Sequence, residues 1–224
     1  MCELFAINAK QPTNANDYLR TFYSHSDLHP HGWGICWRAG DDISLVKEPV
    51  RAIDSPHLHA LLETPIAQAH LLAHIRLATI GSTNEHNCHP FVTEDESGIE
   101  WMLVHNGTVF NDALITGYDG VGQGSTDSER VMLFLRDLLD AAELRKGGEL
   151  SFDERFDILN SALTKLSNGN KLNILLDDDP AWKPVPMAQL QAYRDGELVR
   201  EGTPHGNVFV ECAIENYLLL QSSN

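Results

Sequence analysis

The chain begins Met1-Cys2-Glu3-Leu4-Phe5-Ala6-Ile7. Cys2 carries a small side chain, so removal of Met1 would make it the N-terminal residue. One residue then holds a thiol and a free α-amino group, whose reference pKa values are about 8.5 and about 7.7–8.0. An amine that titrates near neutrality can take the thiol proton as a general base, the logic of an N-terminal nucleophile. Read alone, the same stretch also fits a small buried residue opening a first strand, because free cysteine is among the most buried residue types. The rest of the sequence decides between the two.

Composition narrows the field. At 224 residues the chain has room for one large domain or two small ones. Its net charge of −16 argues against a nucleic-acid surface, which needs concentrated lysine and arginine. No apolar run reaches the roughly 18–20 residues that span a bilayer, so no membrane role is expected. The start lacks a basic leader, and Glu3 and Asn8 interrupt it, so a cytoplasmic protein is expected. The four cysteines, Cys2, Cys36, Cys88 and Cys212, form no CxxC pair. Neither a zinc ribbon nor a disulfide framework is suggested, and Cys36 and Cys212 read as core residues.

Periodicity orders the elements. Residues 2–9 read as a buried strand, and residues 17–26 as a helix carrying Tyr18, Leu19, Phe22 and Tyr23. Gly32-Trp33-Gly34-Ile35-Cys36-Trp37 leads a second strand, with Asp41-Asp42 as a hairpin turn. Ser55-Pro56 caps a short helix. Residues 67–78 and 101–104 read as strands. From Ser125 the pattern turns helical, with Val131, Leu135, Leu138 and Leu139 in phase. Ser151 and Glu154 form a capping box for a helix to about Leu166. Strands follow at 171–176 and 189–199, the latter around an Asp195-Gly196 turn. Strands, two long helices and strands again predict a layered α+β domain.

Four further segments carry unusual chemistry. Two glycines flank Trp33 after His29-Pro30-His31, as where backbone approaches something closely. Arg76 sits inside the apolar run Ala73 to Thr79. A buried guanidinium needs partners and suits bidentate capture of a carboxylate, although a structural ion pair explains it as well. Asn106-Gly107 ends a strand and supplies two donors to a developing oxyanion, yet Asn-Gly is also a common tight turn. Asp127, in Gly124-Ser125-Thr126-Asp127-Ser128-Glu129, either complements a helix dipole or holds an ammonium.

Together these segments resemble the class II, N-terminal nucleophile, glutamine amidotransferase domain, with stand-alone bacterial members as the nearest likeness. The motifs are Met-Cys-Glu-Leu, Gly-Trp-Gly, Ala-His-Ile-Arg-x-Ala-Thr, Asn-x-x-His-Pro-Phe at Asn87 to Phe91, His-Asn-Gly and Thr-Asp-Ser-Glu, in the family's order over residues 2 to about 176. The resemblance implies a four-layer αββα fold over a single domain, residues 2–224. It implies Cys2 as nucleophile, its amine as base, and Asn106 and Gly107 as oxyanion hole. Arg76 is implied to bind the α-carboxylate of glutamine and Asp127 its α-ammonium, with Thr79, His89 and Trp33 lining or supporting the pocket. The substrate class implied is glutamine or a γ-glutamyl small molecule, with no cofactor. His31 stands where the family often has Asp, and the segment from Glu211 to Asn224 departs from the expected closing strands.

Three other readings stand beside amidotransferase-type glutaminase chemistry. A hydrolase of γ-glutamyl amides or peptides uses the same machinery. If glutamine is the substrate, a separate synthetase receives the ammonia or water completes the reaction. A catalytically silent binding protein would keep the fold, but the intact Cys2, Arg76, Asn106, Gly107 and Asp127 argue against it. A metal site is not expected, since His29/His31 and His57/His59 have no Asp, Glu or Cys beside them at ligand spacing.

Overall fold

A computed structural model describes residues 2–40, 42–177, 188–195 and 197–207. Cys212 and the segment from Glu211 to Asn224 lie outside the described residues, as do Asp41 and Gly196 of the two expected turns.

Nine strands and four α-helices are present among the described residues: β1 (Glu3–Asn14), α1 (Asn16–Ser24), β2 (Trp33–Ala39), β3 (Asp42–Glu48), α2 (Pro56–Leu62), β4 (Ala67–Ile75), β5 (Phe91–Glu94), β6 (Glu100–His105), α3 (Asp127–Lys146), α4 (Phe152–Leu166), β7 (Ile174–Asp177), β8 (Gln191–Arg194) and β9 (Glu197–Glu201). Both expected caps are present. Ser55 Oγ accepts the Leu58 N–H at 3.0 Å, and Ser151 and Glu154 complete a reciprocal box. The expected strand over 67–78 ends at Ile75; the Arg76 backbone still bonds Gly32 and His31, and the chain leaves the ladder from Leu77.

Two antiparallel sheets stack, one ordered β1-β4-β2-β3 and the other β5-β6-β7, with β8 and β9 a separate hairpin. The period-2 alternation of strand side chains builds four layers from them. In β4, Leu71, Ala73 and Ile75 join Leu19, Phe22 and Leu58 from α1 and α2. The intervening Leu72 faces the other way and meets Met102 and Val104 of β6, together with Cys36, Leu4 and Ala6. In β6, Trp101 and Leu103 point outward onto Val131, Leu135 and Leu139 of α3 and Leu159 of α4. Helices, sheet, sheet, helices is the resulting order, and each sheet is apolar on both faces because each is covered twice.

Register then gathers one end of the sandwich. Glu3 pairs with Ile75, and Trp33 pairs with the same Ile75. Cys2, Arg76 and Gly32 are the next residues out along these three strands. On the second sheet, His105 pairs with Ile174, so the chain leaves β6 towards Asn106 beside β7. Cys2 continues the parity of Leu4 and Ala6, and Asn106 that of Met102 and Val104, so both belong to the inter-sheet side.

Candidate active site

Cys2 Sγ lies against the loop that follows β4. The Leu77 N–H donates to it at 3.4 Å, and the thiol faces the Leu77 carbonyl at 3.5 Å. Burial pushes the Cys2 thiol up from its ordinary value, while the Leu77 N–H and the Arg76 charge pull it down and the Asp127 charge pushes it up. Burial therefore favours the protonated thiol. Arg76 and Asp127 act on it with opposite sign, one cation and one anion around one nucleophile.

Arg76 is buried, and its guanidinium is met by carbonyl oxygens. Nη1 donates to Ser82 at 3.0 Å, and Nη2 to Ile80 and Gly81 at 2.9 and 3.2 Å. The loop from Leu77 to Ser82 thus folds around the cation whose burial it compensates. Burial lowers the Arg76 pKa, with Cys88, Cys2 and Asp127 opposing. Arginine keeps its charge regardless.

Asn106 and Gly107 do not form a turn. The Asn106 N–H donates to the Asn173 carbonyl at 2.9 Å and Thr108 bridges Lys171, so pairing with residues 171–173 continues past His105 through a bend at Gly107. The glycine is required by close approach: a Cβ at position 107 would collide with the Lys171 carbonyl oxygen and lie 2.5 Å from His105 Nε2. Gly107→Ala should therefore destabilise the protein by about 1–3 kcal/mol, the range for forced overpacking. Gly117→Ala, where a Cβ meets nothing within 4 Å, is the control. Equal denaturant midpoints for the two variants would refute the close approach. Asn106 Oδ1 is buried with no hydrogen-bond partner among the described residues. A buried amide oxygen left unpaired is costly.

Asp127 opens α3 just inside its Thr126 cap and is buried. Its Oδ2 accepts the Val109 N–H at 2.8 Å, and Oδ1 accepts the Ser128 N–H at 3.0 Å. Ser128 in turn contacts His105 Nδ1 at 3.0 Å, while His105 Nε2 faces the Lys171 carbonyl at 3.2 Å. A carbonyl only accepts, so Nε2 carries the proton and Nδ1 takes the Ser128 hydroxyl. Burial holds the His105 imidazole below its ordinary pKa against the pull of Asp127. Thr79 closes a second chain: its hydroxyl meets Thr108 Oγ1 at 3.2 Å, and Thr108 donates to the Gly107 carbonyl at 2.7 Å.

Cys2, Arg76, Thr79, Asn106, Gly107 and Asp127 are thus gathered at one end of the sandwich. His89 and Trp33 are placed differently. His89 stacks on His74 with centroids 4.1 Å apart and edge-on to Phe91. Burial keeps both imidazoles neutral, with His74 lowered to about 3 and His89 well below its ordinary value. Trp33 is fully buried, with its Nε1 on Glu48 Oε2 at 3.2 Å and Tyr23 against its edge. Both back the site rather than face solvent. Two contributors went unassigned in the sequence. His31, which stands where the family often has Asp, accepts the Ala78 N–H on Nδ1 at 2.9 Å and donates its backbone N–H to the Arg76 carbonyl. Burial, then the Arg76 charge, lowers its pKa and favours the neutral acceptor form. Asn87 is the other, and the only signal was its place at the head of the Asn-x-x-His-Pro-Phe motif.

Sandwich, helical layers and a cysteine at the convergence of three strand ends together define an N-terminal nucleophile architecture. The profile of class-II glutamine amidotransferases matches residues 1–183, and the chain belongs to this family. A Methanocaldococcus jannaschii protein of uncharacterised function is 35% identical over 161 residues, 71% of this chain and 44% of that protein. The chain therefore spans less than half the length of that relative. A γ-glutamyl-hercynylcysteine sulfoxide hydrolase of Mycolicibacterium smegmatis is 27% identical over 78% of this chain and 82% of its own length. The structure of a predicted glutamine amidotransferase from Pseudomonas aeruginosa superposes with a TM-score of 0.58 at 23% identity, covering 79% of this chain and 69% of that one. Among the described residues no helix is long and apolar enough to cross a membrane.

Proposed function

We propose that this chain hydrolyses the γ-amide of glutamine through a Cys2 thioester, releasing glutamate and ammonia. The observation that carries the reading is the position of the Cys2 sulfur on the Leu77 N–H, within the fields of both Arg76 and Asp127. A free amino acid offers one carboxylate and one ammonium, so a buried cation and a buried anion suit it. Removal of Met1 frees the Cys2 amine, which takes the thiol proton. The thiolate then attacks the γ-carbonyl carbon, and the Asn106 amide and the Gly107 N–H take the resulting oxyanion. Collapse expels ammonia, which leaves with the proton the amine had held. Water, activated by the same amine, hydrolyses the thioester to glutamate. The ammonia is released to water or to a separate ammonia-using synthetase.

A second reading is favoured by the Mycolicibacterium relative, whose length this chain matches over 82%. On it, the same residues open a γ-glutamyl amide or peptide with a larger leaving amine. Product release from L-glutamine and from γ-glutamyl amides, measured side by side on processed protein, ranks the two. Turnover of neither class would overturn both.

Arg76 and Asp127 act on binding. Removing one partner of a desolvated charge pair costs about 2–5 kcal/mol. Arg76→Ala should therefore raise KM for glutamine by about 30-fold or more, with a smaller loss for substrates lacking the α-carboxylate. An unchanged KM would leave Arg76 as an anchor of the Leu77–Ser82 loop alone.

A further inference from the structure

Asn87 is fully buried, and its amide spans two loops. Nδ2 donates to the Ser82 carbonyl at 3.0 Å, the same oxygen that takes Arg76 Nη1 at 3.0 Å. Oδ1 accepts the Ser125 N–H at 2.7 Å, two residues before Asp127. Nδ2 also meets Ser125 Oγ at 3.2 Å. The partners fix the amide's orientation, since one is a backbone donor and the other a backbone acceptor. Both loops close onto it with glycines. A Cβ on Gly81 would lie 2.9 Å from Asn87 Nδ2, and one on Gly124 would lie 2.5 Å from Oδ1. Asn87 is itself held, its N–H bonded to Asn84 Oδ1 at 3.0 Å. The Asn106-Gly107 segment rests on another support, the bridge to Lys171, and Cys2 meets Leu77 at the β4 end of the Arg76 loop, away from the Ser82 tie.

We propose that Asn87 is a specificity-positioning residue, which sets the loop around Arg76 and the start of α3 at Asp127 at one fixed separation, so that cation and anion are read together. The proposal rests on the glutamine reading above. It makes the two charge contacts interdependent: a ligand with carboxylate and ammonium at amino-acid spacing satisfies both, and a ligand with one of them satisfies one. The carboxamide at position 87 donates to one backbone and accepts from the other, and a carboxylate there keeps only the second tie.

The test compares kcat/KM for three γ-amides: L-glutamine, 4-aminobutanamide, which lacks the α-carboxylate, and glutaramate, which lacks the α-ammonium. Asn87→Asp keeps the acceptor for Ser125 and loses the donor to Ser82. It should lower the preference for glutamine over 4-aminobutanamide by about three- to tenfold, the net loss of one hydrogen bond between neutral groups. The preference over glutaramate should hold. Asn87→Ala loses both ties and should lower both preferences, through KM more than kcat. A structural role alone would slow all three substrates in proportion and leave both ratios at the wild-type value, and that result overturns the proposal. Should Asn87→Ala fail to fold, the isosteric Asn87→Asp carries the test. Failure of wild-type protein to hydrolyse any of the three removes the glutamine reading and this proposal with it. A selective wild type with unchanged ratios in Asn87→Asp removes this proposal alone.

Discussion

Replacing Cys2 by alanine should lower glutamine hydrolysis by about 10⁴-fold or more, the scale seen when a covalent nucleophile is removed. The protein should still fold. The sulfur's hydrogen-bonding contacts are with the backbone of Leu77, and Glu3 to Ile7 keep their pairing with β4 whatever stands at position 2. Cys2→Ser should be nearly as inactive, because a hydroxyl ionises far less readily than a thiol in a site whose burial already raises the pKa. Cys36→Ala and Cys88→Ala serve as controls. Both thiols are buried, and Cys88 is pushed up to about 11 with its sulfur on the Glu48 and Asn84 carbonyls. Those two variants should lose stability before they lose turnover. Full activity in folded Cys2→Ala would remove the covalent mechanism.

Asn106→Ala should lower kcat by about 10²–10³-fold with little change in KM, the signature of a donor that acts on the developing oxyanion. Asn106→Asp should be at least as damaging, since a carboxylate repels that charge. The competing idea, a tight Asn-Gly turn that would accept aspartate, fails on geometry. Asn106 and Thr108 remain paired with Asn173 and Lys171, and Gly107 is present for want of space beside the Lys171 carbonyl. The backbone of residue 106 is held by Asn173 from both sides, with Asn173 Nδ2 donating to its carbonyl at 2.7 Å. The Asn106 side chain is therefore spared for other work. A folded Asn106→Asp protein with wild-type kcat would reassign the oxyanion hole.

Much of this was readable from residue types and order. Alternation in β4 and β6 and the helical phase of residues 131–139 specify which faces are buried, and the two caps at Ser55 and Ser151 mark helix starts by local hydrogen bonding. Cys2 stands out by its place after a removable Met1, Arg76 as a cation in an apolar run, Asn106 as a donor amide before a glycine, and Asp127 as an acidic residue at a helix start. What escaped the reading depends on register and loop path. The Asn106-Gly107 dipeptide carries the same local signal whether the chain turns or continues, and only pairing with Lys171 decides. Arg76 called for an anion on burial grounds, yet three carbonyls of its own loop partner it, which spacing alone does not reveal. His31 and Asn87 act through bonds to segments 47 and 38 residues away. Trp33 drew attention through its flanking glycines, and long-range packing makes it core.

The central claim is that Cys2, as the free N-terminal residue, is the nucleophile. The most direct measurement is intact-protein and N-terminal peptide mass after incubation with a glutamine analogue carrying a diazoketone in place of the γ-amide. The sulfur takes the terminal carbon as dinitrogen leaves. The account predicts one adduct per chain, on a peptide that begins at Cys2, with loss of activity in step. Labelling at Cys36 or Cys88, or an active protein that retains Met1, would contradict it.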